Sequence, residues 1–190
     1  MSGVTPDAST LPSTMPTLRA RSVVLRSFRE TDADVVREAS ADPLIPLIST
    51  VPTSSGDDAV MAYIHRQHSR LPEGEGYSFA IADAASDRAV GQIGLWIRDM
   101  RFGRLAVGYW VAATSRRRGY ATDALACVSG WGLSLPGVNR VELSVEPWNE
   151  GSWRAAESAG FRREGLLRRW QPVGDEPRDM FMYSRLCDDV

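Results

Sequence analysis

The 190-residue chain is 43% hydrophobic and 24% charged, with a formal net charge of −2, the balance of one soluble globular domain with room for a sizeable core. All 22 of its basic residues are arginine. That excludes Schiff-base catalysis, a pyridoxal-phosphate anchor and a P-loop lysine, and the net charge argues against a general nucleic-acid binder. No apolar run approaches the roughly 20 residues a membrane helix needs. The two cysteines, Cys127 and Cys187, form no disulfide framework and no metal cluster, and read as free, buried thiols.

Residues 1–17 are rich in Ser, Thr and Pro and carry no periodicity, so a flexible N-terminal tail is expected there, with no secretory leader and a single domain over 18–187. A β-branched run predicts a first strand at 22–26. Thr31 or Asp32 caps a helix that ends at Asp42-Pro43. Three prolines and a Ser-Ser-Gly cluster make 43–56 a loop, and a helix over 57–71 stops at Pro72. Strands follow at 77–83, 88–98 and 104–113, separated by turn-like stretches as in a meander.

The period then changes. Ala121, Ala124, Leu125, Val128, Trp131, Gly132 and Leu135 fall at helical spacing, and Pro136-Gly137 ends that helix. Val141, Leu143 and Val145 alternate with Arg140, Glu142 and Ser144 as a strand does. Asn149 opens a short helix closed by Gly160, and strands at 161–167 and 179–186 finish the chain. The order predicts an α/β domain around one mixed sheet of about seven strands flanked by helices.

The most informative stretch is Arg116-Arg117-Arg118-Gly119-Tyr120-Ala121-Thr122, between a strand and the strongest helix. The first backbone N–H groups of a helix have no partners within it, and the helix dipole adds positive charge there. Gly119 admits a phosphate to the backbone, Ala121 does not block it, and three arginines raise the local potential. A pyrophosphate suits such a loop; spacing alone leaves a solvated basic turn about equally open.

Arg116…Gly119…Ala121 resembles the coenzyme A pyrophosphate loop of the GNAT acetyltransferase superfamily. Val107-Gly108-Tyr109-Trp110-Val111-Ala112, Val145-Glu146-Pro147-Trp148-Asn149-Glu150-Gly151-Ser152, Ala159-Gly160-Phe161, and Arg178-Asp179 with Met182-Tyr183-Ser184 resemble, in order, further motifs of its RimJ/RimL-like branch. The similarity runs from about Leu18 to Leu186. It implies a GNAT fold, mostly antiparallel, splayed between the fourth and fifth of the seven strands, with pantetheine in the gap.

The resemblance also assigns roles. Trp110, Val111 and Ala112 contact the cofactor arm through their main chain, with an N–H near Val111 facing the thioester carbonyl. Residues Arg116, Arg117, Arg118, Gly119, Tyr120, Ala121 and Thr122 take the diphosphate. Asn149 bonds the pantetheine arm, and Ser152 donates a proton to the departing thiolate. Without the resemblance, Asn149 and Ser152 read as helix-capping residues, and both roles can coexist. Arg117 stands where the family often has Gly, which is tolerable if that residue needs no left-handed conformation. Ala106 stands where relatives often carry a Glu that helps deprotonate the amine; Glu142 on the next strand is a substitute candidate.

Among the aromatics, Trp96, Tyr109, Trp148, Trp153 and Trp170 read mainly as core or cofactor packing, with Trp96 and Trp170 as candidates to line an acceptor pocket. His65 and His68 read as surface residues. The implied activity is transfer of an acetyl group from acetyl-coenzyme A to a primary amine, on a protein N-terminus or a small molecule. A cytoplasmic monomer or homodimer is expected, without metal, membrane or nucleic-acid partner. An acyl-coenzyme A-binding module without turnover is the alternative.

Overall fold

A computed structural model describes residues 11–189. The strands are β1 (Leu18–Arg19), β2 (Val23–Arg26), β3 (Gly76–Asp83), β4 (Ala89–Trp96), β5 (Arg104–Val111), β6 (Arg140–Val145), β7 (Arg162–Val173) and β8 (Glu176–Leu186). The helices are α1 (Ala33–Ser40), α2 (Ile45–Ile48), α3 (Asp57–Ser69), α4 (Tyr120–Leu133) and α5 (Glu150–Ser158). All eight strands form one open sheet in the order β1-β2-β3-β4-β5-β6-β8-β7. Every neighbouring pair is antiparallel except β5 and β6. Among the described residues no helix is long and apolar enough to cross a membrane.

Alternation along the strands sends neighbouring side chains to opposite faces. Phe79 and Ile81 enter one core cluster with Leu125 and Val128 of α4 and Ala155 and Ala156 of α5. Ala80 and Trp110 enter the other, with Val35 and Val36 of α1 and Tyr63 and Ile64 of α3. The sheet is thus covered on both faces, which is why β3 and β4 are buried along nearly their whole length.

Four sequence expectations change. The sheet has eight strands rather than about seven, because Leu18–Arg19 pairs with Val24 and Leu25 as a two-residue edge strand. Residues 11–17 are not a free tail. Leu11 and Met15 pack against the first cluster, and the Tyr77 hydroxyl donates to the Pro12 carbonyl at 2.6 Å. Two isolated apolar residues leave no period to read; residues 1–10 of the expected tail lie outside the described residues. The expected loop over 43–56 contains α2, whose start is capped by the Asp42 carboxylate, which accepts from the Leu44 and Ile45 N–H groups at 2.9 and 3.1 Å. Lastly, Cys187 is exposed and Cys127 half-buried; both are free.

The last two strands run longer than their apolar segments suggest. They form a ribbon whose outer strand, β7, is exposed along most of its length. Its ladder breaks where Leu167 pairs with Met180 but Gln171 with Arg178, so that residues 168–170 bulge opposite Asp179. Arg169 adopts φ +47° there, and its N–H donates to the Asp179 carboxylate at 2.7 Å.

Candidate functional site

β5 and β6 pair only through Arg104–Arg140, Leu105–Val141 and Ala106–Glu142. Beyond that point each strand follows its other neighbour. β5 stays on β4 as far as Val111, and β6 stays on β8 as far as Val145. The gap opens a cavity of about 1380 Å³. Gly119, Tyr120, Ala121 and Thr122 line one end; Trp110, Val111, Asn149 and Ser152 line the middle; Trp96, Ala106, Glu142 and Trp170 line the other end. The edge of β5 facing the gap has no strand partner there, so its backbone is available to an amide-bearing ligand.

The loop before α4 enters through a short turn at Ala113–Ser115. Gly119, with φ +83°, precedes the helix, and no side chain caps it. A Cβ built on Gly119 would meet no atom within 4 Å, so the space over the first N–H groups is open. An uncapped helix start with open space above it is a ready anion site.

Three contacts brace the loop. The Tyr120 hydroxyl donates to Asp83 at 2.7 Å. That bond, followed by those from the Ser86 hydroxyl and N–H, holds the Asp83 carboxyl down at about 2. Thr114 donates through its N–H and hydroxyl to Glu38 at 2.8 and 3.0 Å. Arg116 lines the cavity, yet its guanidinium donates to the Val111 carbonyl at 3.0 Å and pairs with Asp42 at 2.6 Å. Burial opposes the Asp42 charge, but the Leu44 and Ile45 N–H groups and then Arg116 hold its pKa below the usual carboxylate value. Arg116 is therefore a strut between the loop and α2. Arg117 lines the cavity, while Arg118 and Ala112 do not.

Arg117 departs from expectation: its φ is +61°, the left-handed conformation it was assumed not to need. A left-handed L-residue costs about 1–2 kcal/mol. The usual ranking of Gly and Ala should thus invert at this position. Arg117→Gly is expected to exceed Arg117→Ala in stability by about 1 kcal/mol, a difference that urea unfolding of the two variants measures.

Asn149 precedes α5, and its side-chain oxygen accepts from the Ser152 N–H at 3.2 Å. The capping role is thus real and uses only the side-chain oxygen of a residue that also lines the cavity. The Ser152 hydroxyl lies 2.8 Å from the Tyr109 hydroxyl, across the splay. Burial pushes the Tyr109 phenol up, partly offset by the Ser152 hydrogen bond, so the phenol keeps its proton at neutral pH. Sequence reasoning classed Tyr109 as packing. Its one signal was the parity that sets it opposite Trp110 on β5.

At the far end of the cavity the Arg70 guanidinium lies 4.6 Å over the Trp96 ring, and Arg70 Nε donates to Gln67 at 3.0 Å. Ser78 donates to the same Gln67 oxygen at 3.0 Å, and Gln92 donates to Ser78 at 3.1 Å, a buried polar chain beside the cavity. Glu142 stands opposite Ala106, but Arg140 Nε donates to its carboxylate at 2.6 Å. Trp148 and Trp170 are 61% and 54% exposed, so both belong to the cavity mouth rather than to the core.

Sequence reasoning quoted Glu146 only within a motif. Its side chain is 8% exposed and lines the cavity; its nearest charge, Arg178 Nε, is 3.9 Å away, beyond hydrogen-bond distance. His65 and His68 are exposed, with His68 Nε2 2.8 Å from the Phe28 carbonyl oxygen. Among the described residues no group of three His, Cys, Asp or Glu side chains could hold a metal ion.

Comparison with known proteins bears on the family and the fold. Residues 22–162 match the family described as "Acetyltransferase (GNAT) domain". The N-acetyltransferase p20 of Bacillus licheniformis is 27% identical over 172 residues, covering 90% of this chain and 97% of the relative. Among solved structures, Mycobacterium smegmatis RimJ in complex with CoA-disulfide superposes with a TM-score of 0.79 at 22% identity, covering 94% of this chain and 91% of that one. The microcin C7 self-immunity acetyltransferase MccE, in complex with acetyl-CoA and AMP, superposes with a TM-score of 0.74 at 19% identity, covering 95% and 99%.

Proposed function

From the premise that the chain belongs to the GNAT acetyltransferase family, we propose that it moves an acetyl group from acetyl-coenzyme A to a primary amine by direct attack with both substrates bound. The observation that carries this reading is the uncapped, open helix start at Gly119, leading into a splay whose middle holds the Ser152–Tyr109 hydroxyl pair. The residues present fit coenzyme A. The N–H groups of Tyr120, Ala121 and Thr122 suit a diphosphate. The free edge of β5 near Trp110 and Val111 suits pantetheine amides, with an N–H near Val111 toward the thioester carbonyl. Coenzyme A supplies the activated acyl group.

Ser152 gives a proton to the departing sulfur, and its own hydroxyl is held by Tyr109, which remains protonated and can donate in turn. The acceptor is an α-amine of a polypeptide or an amine on a small molecule. RimJ and the ribosomal L7/L12 α-N-protein acetyltransferase RimL among the structural neighbours favour the former, and MccE keeps the latter in view. We place the reaction in the cytoplasm, where acetyl-coenzyme A is available.

The test is release of free thiol from acetyl-coenzyme A by the purified chain, with a panel of peptide α-amines and small amines. Release that requires an amine is the expected result. Thermal protection by coenzyme A without release on any amine would make the protein a binding module instead.

A further inference from the structure

We propose that Glu146 takes the proton from the acceptor amine; this rests on the acetyl-transfer reading above. Four carboxylates line the cavity: Glu75, Asp99, Glu142 and Glu146. Three are otherwise engaged. Glu75 pairs with Arg70 and is half exposed; Asp99 lies 3.5 Å from Arg104 and is nearly half exposed; Glu142 is hydrogen-bonded by Arg140. Glu146 alone among them is more than nine-tenths buried, and it makes no hydrogen bond among the described residues. With Arg178 Nε 3.9 Å away and no hydrogen bond, its carboxylate is left open to a role at the cavity.

Its position supplies one. Val141, Leu143 and Val145 of β6 point into the first core cluster, so Glu142, Ser144 and then Glu146 take the opposite side and line the cavity. On β5, Ala106, Gly108 and Trp110 line the cavity with the same parity, and Trp110 joins the second cluster. Ala106 and Glu142 form the last pair before the splay. Counting an equal number of residues on from that pair reaches Trp110 on one rim and Glu146 on the other. Glu146 therefore lies across the splay from the free stretch of β5 to which the thioester is assigned, on the opposite rim of the same cavity.

The surrounding charges are few. Arg178 and Asp179 of β8 share a small cleft with Glu146, and Arg178 is itself engaged by Glu176 at 2.8 Å. On the same strand Glu142 is paired with Arg140, and on α5 Arg154 is paired with Glu150.

In the step, an incoming ammonium donates one proton to a Glu146 carboxylate oxygen. The freed nitrogen lone pair attacks the thioester carbonyl carbon, so that the C–N bond forms and the C–S bond breaks with its electron pair on sulfur. Ser152 protonates the sulfur. The second proton lost by nitrogen restores the Ser152 hydroxyl through solvent, and Glu146 returns its proton to solvent. The products are the N-acetyl amide, coenzyme A thiol and one proton.

The test follows kcat/KM against pH with two acceptors whose amine pKa values differ by about two units, an α-amine and an alkyl amine. The wild type should show an inflection that stays in place when the acceptor changes. Glu146→Gln should lose that inflection, run about tenfold slower where the acceptor is protonated, and titrate with the acceptor's own pKa. Its thermal protection by coenzyme A should be unchanged; if it is lost, Glu146→Asp is read instead, and should keep the fixed inflection at a lower rate. A wild-type inflection that moves with the acceptor overturns the proposal while acetyl transfer stands. So does a fixed inflection that survives Glu146→Gln but vanishes in Glu142→Gln. No turnover by the wild type with any amine overturns the acetyl-transfer reading, and the proposal with it.

Discussion

Coenzyme A is expected to protect the wild-type protein thermally, and Gly119→Glu to abolish that protection. At ligand one hundred times its Kd, mass action stabilises a folded protein by about 2.7 kcal/mol, or about 5–10 °C for a chain of this size. The substitution places a carboxylate in the open space above the first N–H groups of α4, where a Cβ alone would touch nothing within 4 Å. Gly119 also holds φ +83°, so any side chain adds strain. Gly119→Ala separates the two effects. It should lose about 1 kcal/mol of stability to backbone strain yet retain much of the ligand-induced shift. If Gly119→Glu were protected as well as the wild type, the diphosphate would lie elsewhere.

Ser152→Ala should lower kcat roughly tenfold to a hundredfold, as a modest general acid predicts, with little change in coenzyme A affinity. The thiolate forms only as the reaction proceeds, so the lost interaction belongs to the transition state. The structure adds a complication that the sequence did not show: the Tyr109 hydroxyl lies 2.8 Å from the Ser152 hydroxyl and is a second donor available to the proposed step when the serine is removed. The double variant with Tyr109→Phe reveals it. A further loss in the double variant beyond that in Ser152→Ala means the phenol has been standing in as donor. An unchanged kcat in both would reduce the pair to a brace between β5 and α5.

Much of the frame was readable because it is local. The helical spacing of Ala124, Leu125 and Val128 and the alternation of Val141, Leu143 and Val145 reflect burial against a single partner face, which a period records directly. The uncapped helix start at Gly119 was readable because its signal is a glycine just before a helical period. The rest depends on partners far away in the chain. Arg116 reads as an anion ligand until Asp42, 74 residues earlier, claims its guanidinium. Tyr109 and Ser152 meet across 43 residues. Glu146 becomes unusual only once tertiary packing has buried it without a hydrogen bond. The left-handed backbone of Arg117 left no trace, because an arginine there carries none of the glycine signal.

The bulge in β7 bears on how the molecule behaves in a crowded solution. An open sheet exposes two rows of unpaired backbone groups, and a long, flat edge invites a second chain to continue the ladder. Neither edge here offers that template. β1 is two residues long. On β7 the regular spacing of donors and acceptors is interrupted at 168–170, where Arg169 turns left-handed and its N–H is already taken by Asp179. Arg168 and Arg169 are exposed at that break, so an approaching copy meets like charge at the point where its register would fail. The fold thus keeps an open sheet whose two edges present no long, regular ladder for a second copy to extend.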